Sequence, residues 1–373
     1  MSTHTHKDAV LHTFLDLVQI ASHSLQEQGV FAYCKERLEK MGLSVREDSA
    51  GEKLGGQCGN LIATLPANDS TRPKILLMAH MDTVQPGQNV KPVVRDEVIY
   101  SDGSTVLGAD DKAGITAILT ALERIIQENL PHGQIQVLLT IAEEIGLQGA
   151  KNLDFSLIDA DWGLSLDTGG ALGTLPVAGS AQAKFEAQFI GRSAHAGVAP
   201  ERGISAIQVA AKAVANMPHG RIDDETTANI GSFEGISPTN VVAERARLLG
   251  EVRSRNKEKL QRMLQQIEEI FDTVAKEHGA KLEFEQRLMY EGFRYPPEHP
   301  ARQRVERALR LAGFEPNPVE VGGGSDANIL SMHKLPVLNI GIGYEDIHTT
   351  QEHIQLSDIM SASEVAVVFC TME

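Results

Sequence analysis

The chain predicts an α/β fold interrupted by an α+β insert: a mixed sheet covered by helices, built from both ends of the sequence, with a ferredoxin-like βαββαβ domain between them. Three observations carry this reading. In the first half, short and nearly continuous apolar runs alternate with amphipathic helical runs, as strands buried on both faces require. From about Ala181 the pattern changes to polar and apolar residues in strict alternation, the mark of strands with one face exposed. After Tyr290 the first style returns.

Taken in order, residues 10–19 place Val10, Leu11, Phe14, Leu15 and Val18 at helical spacing, and residues 30–41 repeat the pattern, giving two amphipathic surface helices. Residues 60–65 and 74–79 read as strands. Asp110 then opens a long run through Ile115, Ile118, Leu119, Leu122 and Ile126 that reads as a helix. The runs 134–142 and 163–166 are again short and apolar. The insert continues from a half-exposed strand at 184–190 to a helix at 204–217, strands at 228–233 and 246–252, a helix at 257–278 and a strand at 281–286. The closing part reads as a helix at 301–312, a glycine-rich turn at 322–326 and an apolar strand at 337–340. Residues 1–178 and 290–373 therefore form one discontinuous domain, and residues 179–289 the inserted one.

Length and charge narrow the function. A chain of 373 residues exceeds the size, about 250–300 residues, at which a single core stops growing. Its formal charge of -16, from 34 Lys and Arg against 50 Asp and Glu, repels a phosphate backbone, so nucleic acid is excluded as a partner. No apolar run reaches the length of a membrane span, and the N-terminal residues 1–8 are polar and His-rich with no apolar signal core behind them. A cytoplasmic protein is expected. Cys34, Cys58 and Cys370 are too few and scattered for a disulfide framework and form no CxxC pair, which suits a reducing compartment.

The informative pattern is where the chelating residues fall. His80 and Asp82 follow the strand 74–79, Glu143 and Glu144 follow 134–142, Asp167 follows 163–166, and His348 lies in the loop after 337–340. Asp110 and Asp111 stand where a loop becomes a helix. Open α/β sheets bind their ligands beyond the carboxyl ends of the strands, so these groups can converge on one place. Two imidazoles and several carboxylates packed together are costly unless cations neutralise them. The donor types suit zinc, with cobalt or manganese as alternatives. A pair of such ions needs one bridging carboxylate, and a His and a further carboxylate for each ion; the inventory meets that count.

Six runs carry a resemblance: Ala79-His80-Met81-Asp82-Thr83-Val84, Ser101-Asp102-Gly103, Gly108-Ala109-Asp110-Asp111-Lys112-Ala113-Gly114, Glu143-Glu144-Ile145-Gly146, Gly191-Arg192-Ser193-Ala194-His195-Ala196-Gly197 and Gly322-Gly323-Gly324-Ser325-Asp326. Together, and in this order, they resemble the M20 metallopeptidases, in particular the peptidase T (tripeptidase)-like branch. The resemblance implies two divalent ions, one held by His80 and Asp167, the other by Glu144 and His348, with Asp110 bridging. It implies a cis peptide after Asp110, Asp82 as the carboxylate that orients the His80 ring, and Glu143 as the general base acting on the attacking water. The insert becomes a dimerisation and lid domain, with His195 reaching across a homodimer interface to stabilise the oxyanion in the neighbouring subunit. Asn240 and Arg253 resemble substrate-binding residues of the insert. The glycine turn lacks the Lys-Ser/Thr ending of a phosphate loop, so the backbone of Gly323 and Gly324 is expected to line the substrate cleft.

The implied activity is hydrolysis of short peptides by an exopeptidase, an aminopeptidase of the tripeptidase type. An N-acyl amino acid deacylase or a carboxypeptidase would use the same ligands, because the chemistry at the amide is the same. A metal-bound peptide-binding module without turnover is the reading of a different class, and the base at Glu143 argues against it.

Overall fold

The computed structural model describes residues 3–373, with side chains from residue 6 onward, so part of the polar N-terminal stretch lies outside the described residues. The chain divides into two compact units. The first comprises Met1–Val177, Tyr295–Glu320 and Ser325–Glu373; the second comprises Ala178–Arg294 together with Val321–Gly324.

The first unit is organised by a mixed six-stranded sheet in the order Ser44–Glu47, Leu61–Leu65, Ile135–Thr140, Ile75–His80, Trp162–Ser165, Val337–Asn339. The first three strands pair antiparallel and the remainder parallel. Every residue of the central strands Ile75–His80 and Ile135–Thr140 is buried, which explains why their sequence shows no alternation. The helix Ala109–Gln127 buries Ile115, Ile118, Leu119, Leu122 and Ile125. Against it packs a helix the periodicity does not reveal, Leu356–Thr371. Its buried residues (Leu356, Ile359, Ala362, Val365, Ala366, Val367, Phe369) occupy more than one side, so no single apolar stripe stands out from the sequence.

The second unit follows the βαββαβ order. Its strands Ala181–Ile190, Thr226–Glu234, Arg245–Ser254 and Lys281–Tyr290 form an antiparallel sheet, preceded at one edge by the short strand Gly220–Arg221. In space Thr226–Glu234 is followed by Arg245–Ser254, Ala181–Ile190 and the edge strand Lys281–Tyr290. The helices Ala206–Asn216 and Lys257–Glu277 pack on this sheet, and Phe185, Phe189, Leu248, Ile267 and Phe271 fill its core. The other face carries pairs such as Arg247 with Glu186, joined through Nε at 2.5 Å and Nη2 at 2.7 Å.

All three cysteines are buried thiols, and burial pushes each up to about 12. No helix among the described residues is long and apolar enough to cross a membrane.

Candidate metal centre

Within the first unit the chelating residues meet at the carboxyl ends of the parallel strands. His80 is the last residue of its strand, and its Nε2 lies 3.0 Å from Asp110 Oδ1 and 3.8 Å from Asp167 Oδ1. On the other side, His348 Nε2 lies 3.0 Å from Glu144 Oε1 and 3.4 Å from Asp110 Oδ2. Asp110 thus turns one oxygen toward each histidine. The peptide between Asp110 and Asp111 is cis, and neither residue has helical dihedrals although both stand at the start of the helix Ala109–Gln127.

Buried partners hold this arrangement. Glu352 accepts from the amides of Gly108 at 2.7 Å and Asp110 at 3.0 Å, fixing the approach to the cis bond. Asp111 accepts from His80 N at 3.2 Å and Gly114 N at 3.1 Å, so both its oxygens are engaged with main chain. Tyr344 donates its hydroxyl to Asp167 Oδ1 at 3.4 Å. The motifs gave no signal for Glu352 or Tyr344, since an isolated Glu in a polar loop and an isolated Tyr leave no periodic trace.

Asp82 has a wider role than orienting an imidazole. His80 Nδ1 lies 2.9 Å from the main-chain oxygen of Asp82 and 3.4 Å from its carboxylate. That carboxylate accepts from Ser24 Oγ at 2.6 Å, from Glu143 N at 2.9 Å and from Glu144 N at 3.1 Å. It therefore ties the His80 strand end to the turn that carries both glutamates.

The electrostatics are those of a site built for cations and balanced, without them, by protons. Burial opposes charge on His80, but hydrogen bonds to Asp110 and Asp82 outweigh it and hold the ring well above its usual range. Hydrogen bonds to Asp110 and Glu144 raise His348 to about 10. Asp110 is held below the ordinary carboxylate range because the two histidines overcome its desolvation. Burial pushes Asp167 and Glu143 well above the carboxylate range; His80 opposes this, and neighbouring carboxylates add to it.

The donor set fits a metal pair. Single ligand atoms of His80, Asp110 and Glu144 lie within 4.8 Å of one another, and so do those of His80, Asp111 and Asp167. With the Asp111 oxygens already bonded to amides, Asp167 is the freer oxygen donor of the second group. Imidazole nitrogen plus carboxylate oxygen is the chemistry of zinc and its first-row relatives.

In the second unit, the loop carrying His195 runs antiparallel to the one carrying Asn240: His195 bridges to Val241, and Ala196 N donates to Asn240 O at 2.9 Å. Both side chains are exposed. Arg253 sits elsewhere. Its Nε lies 2.8 Å and its Nη2 3.3 Å from the two carboxylate oxygens of Glu251, and its Nη1 is 3.5 Å from the carbonyl of Gly322. A Cβ on Gly324 would stand 2.4 Å from the Tyr290 ring, so the glycine turn is shaped by that ring. The strand Ala181–Ile190 measures the separation: Gln182 pairs with Arg253, Ile190 pairs with Arg245, and the His195 loop continues beyond Ile190. Within this unit the expected substrate residues fall into two groups at opposite ends of the sheet, roughly 26 Å or more apart at about 3.3 Å per residue.

Comparison with known proteins agrees with this geometry. The profile of peptidase family M20/M25/M40 matches residues 76–371. Peptidase T of Escherichia fergusonii is 32% identical over 372 residues, covering 89% of this chain and 88% of that one. The crystal structure of aminopeptidase PepT from Bacillus cereus ATCC 10987 is 41% identical, with a TM-score of 0.92 and 98% of both chains covered. A tripeptidase from Staphylococcus aureus subsp. aureus Mu50 is 39% identical, with a TM-score of 0.94 over 98% of both chains.

Proposed function

This chain belongs to peptidase family M20/M25/M40 and is a peptide hydrolase, and from that premise we propose that it is a dinuclear-metal exopeptidase of short peptides, an aminopeptidase of the tripeptidase type. The observation that carries the reading is the two-faced Asp110, with one oxygen beside His80, itself next to Asp167, and the other beside His348, itself next to Glu144. These five residues would hold two divalent ions, zinc first by donor type, cobalt or manganese by the same chemistry. When bound, such ions polarise the scissile carbonyl and bring the pKa of water to about 7.

The chain's own groups supply the proton traffic. Glu143, half-buried beside Glu144, takes the proton of the attacking water as its oxygen bonds the carbonyl carbon, and returns it to the nitrogen as the C–N bond breaks. Asp82 keeps Glu143 and Glu144 in fixed relation through their amides. His195 and Asn240 steady the developing oxyanion and the substrate from a second subunit, with residues 179–289 serving as dimerisation and lid domain. Two observations support the homodimer: His195 and Arg253 lie at opposite ends of one sheet, and Val198 and Ile236, 78% and 96% exposed, flank the His195 and Asn240 loops. Arg253, with Gly323 and Gly324 near it, would receive the peptide carboxylate, which must share the guanidinium with Glu251. Three buried thiols suit a cytoplasmic setting.

The names of the Bacillus cereus aminopeptidase and the Staphylococcus aureus tripeptidase support a requirement for a free N-terminal amine. Metal analysis of the zinc-loaded chain, coupled to rates on trialanine and N-acetyl-trialanine, tests this. Hydrolysis of the free peptide alone is expected. Preference for the acetylated peptide would replace the aminopeptidase by a deacylase or carboxypeptidase.

A further inference from the structure

The strand Ile135–Thr140 ends where its backbone leaves the ladder, and the next four amides are each claimed by a buried side chain from another segment. Ile141 N donates to Asn60 Oδ1 at 3.1 Å, Ala142 N to Glu27 Oε1 at 3.0 Å, Glu143 N to Asp82 Oδ1 at 2.9 Å and Glu144 N to Asp82 Oδ2 at 3.1 Å. Asn60, Glu27 and Asp82 are all fully buried. The turn they hold is not one the chain adopts freely. Ala142 has φ 52°, a left-handed conformation that is unfavourable for a non-glycine residue and persists only where its surroundings over-determine it. The cradle is also tight, since a Cβ on Gly149 would stand 2.1 Å from Ile141 O and 2.7 Å from Asn60 Oδ1.

Asn60 has a structural reason to be there, because its amide nitrogen also serves Asp48 at 2.8 Å and Gly149 O at 3.0 Å. Asp82 belongs to the metal centre. Glu27 is the member without such a task. It precedes the helix Gln28–Lys40 but makes no capping bond with its side chain. Its Oε1 accepts from Leu25 N at 2.7 Å and from Ala142 N, while Oε2 is buried with no partner among the described residues. A buried carboxyl is expensive, and this one joins two left-handed residues, Leu25 at φ 70° on its own segment and, across the fold, Ala142 directly before the base.

We propose that Glu27 is a positioning residue for the reaction: by holding the Ala142 amide it keeps the turn left-handed and so aims the Glu143 carboxylate. The proposal rests on reading Glu143 as the general base. Reach is what matters, with the charge incidental. Burial, and next the charge of Asp82, push Glu27 up to about 7, so an uncharged side chain of equal length is close to its native state.

Steady-state hydrolysis of trialanine by the zinc-loaded full chain, with metal content measured alongside, separates the alternatives. Glu27→Asp keeps the charge and shortens the reach; Glu27→Ala removes both. For each, kcat is expected to fall on the order of tenfold to a hundredfold, as displaced catalytic groups do, with KM and metal stoichiometry near the parent's. Glu27→Gln keeps the acceptor at full length and is expected to recover most of that loss. Equal impairment of Glu27→Gln and Glu27→Asp, or a Glu27→Asp kcat within about twofold of the parent, overturns the proposal. Should Glu27→Ala not fold, the Asp and Gln pair decides alone. Glu143→Gln is the separate control: a parental rate there sinks the base assignment itself, whereas its loss beside an unimpaired Glu27→Asp sinks only the positioning role.

Discussion

The two units treat their chemical residues in opposite ways. In the first, His80, Asp110 and Asp82 are buried and fixed by bonds to main chain or to one another, with the exposed His348 the exception. In the second, His195 and Asn240 stand exposed on paired loops, and Arg253 already shares its guanidinium with Glu251. Groups that must meet a reacting bond need geometry held to fractions of an ångström, and burial with redundant hydrogen bonds provides it. Groups that greet a variable peptide or a second subunit need access first.

Variants can break this contrast, beginning with the largest effect. Glu143→Gln should lower kcat by about 10²–10⁴-fold while metal analysis still finds the parent's content, as the proposed role of moving a proton without holding an ion requires. A loss of metal in parallel would move Glu143 among the ligands. His195→Ala should cost on the order of 10²–10³-fold in kcat. Mixing it with Glu143→Gln under subunit exchange should restore activity at roughly a quarter of the sites, since in a mixed dimer one centre receives both intact groups. No recovery on mixing would return His195 to its own subunit. Arg253→Ala should raise KM for free peptides about tenfold and leave peptide amides little changed, the size of one charge-assisted bond.

A further effect is graded in pH. Because His80 is held well above its usual range and His348 at about 10, the metal-free site carries their protons at neutral pH, and loading must expel them. Zinc affinity should therefore rise with pH by about tenfold per unit for each proton released, flattening as pH passes the range of His348. Calorimetry in buffers of different ionisation enthalpy counts those protons directly. A pH-independent affinity would mean that the histidines are not displaced by the ion.

Much of this was legible in the residues, for reasons that differ along the chain. The strands bearing His80, Glu143 and Asp167 announce themselves because continuous apolar runs end abruptly in chelating groups, and the βαββαβ order of the insert follows from alternation alone. Glu352, Glu27 and Asn60 escape notice. Each acts by accepting from an amide far away in sequence, Glu352 from Asp110 and Glu27 from Ala142, and such a bond imprints no spacing on the residues around it. The apolar run 134–142 also overstates its strand, by two residues at the carboxyl end, since Ile141 and Ala142 are apolar yet hand their amides to side chains. The helix Leu356–Thr371 is hidden for the reverse reason, being apolar on too many sides to show a face.

The strand Lys281–Tyr290 closes one margin of the second unit's sheet and carries charges in a symmetric order along its exposed positions, positive at Lys281 and Arg287 and negative at Glu283 and Glu285. If two such margins met head to tail about Phe284, Lys281 would face Arg287 and Glu283 would face Glu285, like against like at each charged rung. Directly opposed like charges are destabilising, so this margin resists being extended into a continuous ribbon between molecules. Two copies would therefore gain no charge complementarity by pairing backbone along this margin in that register.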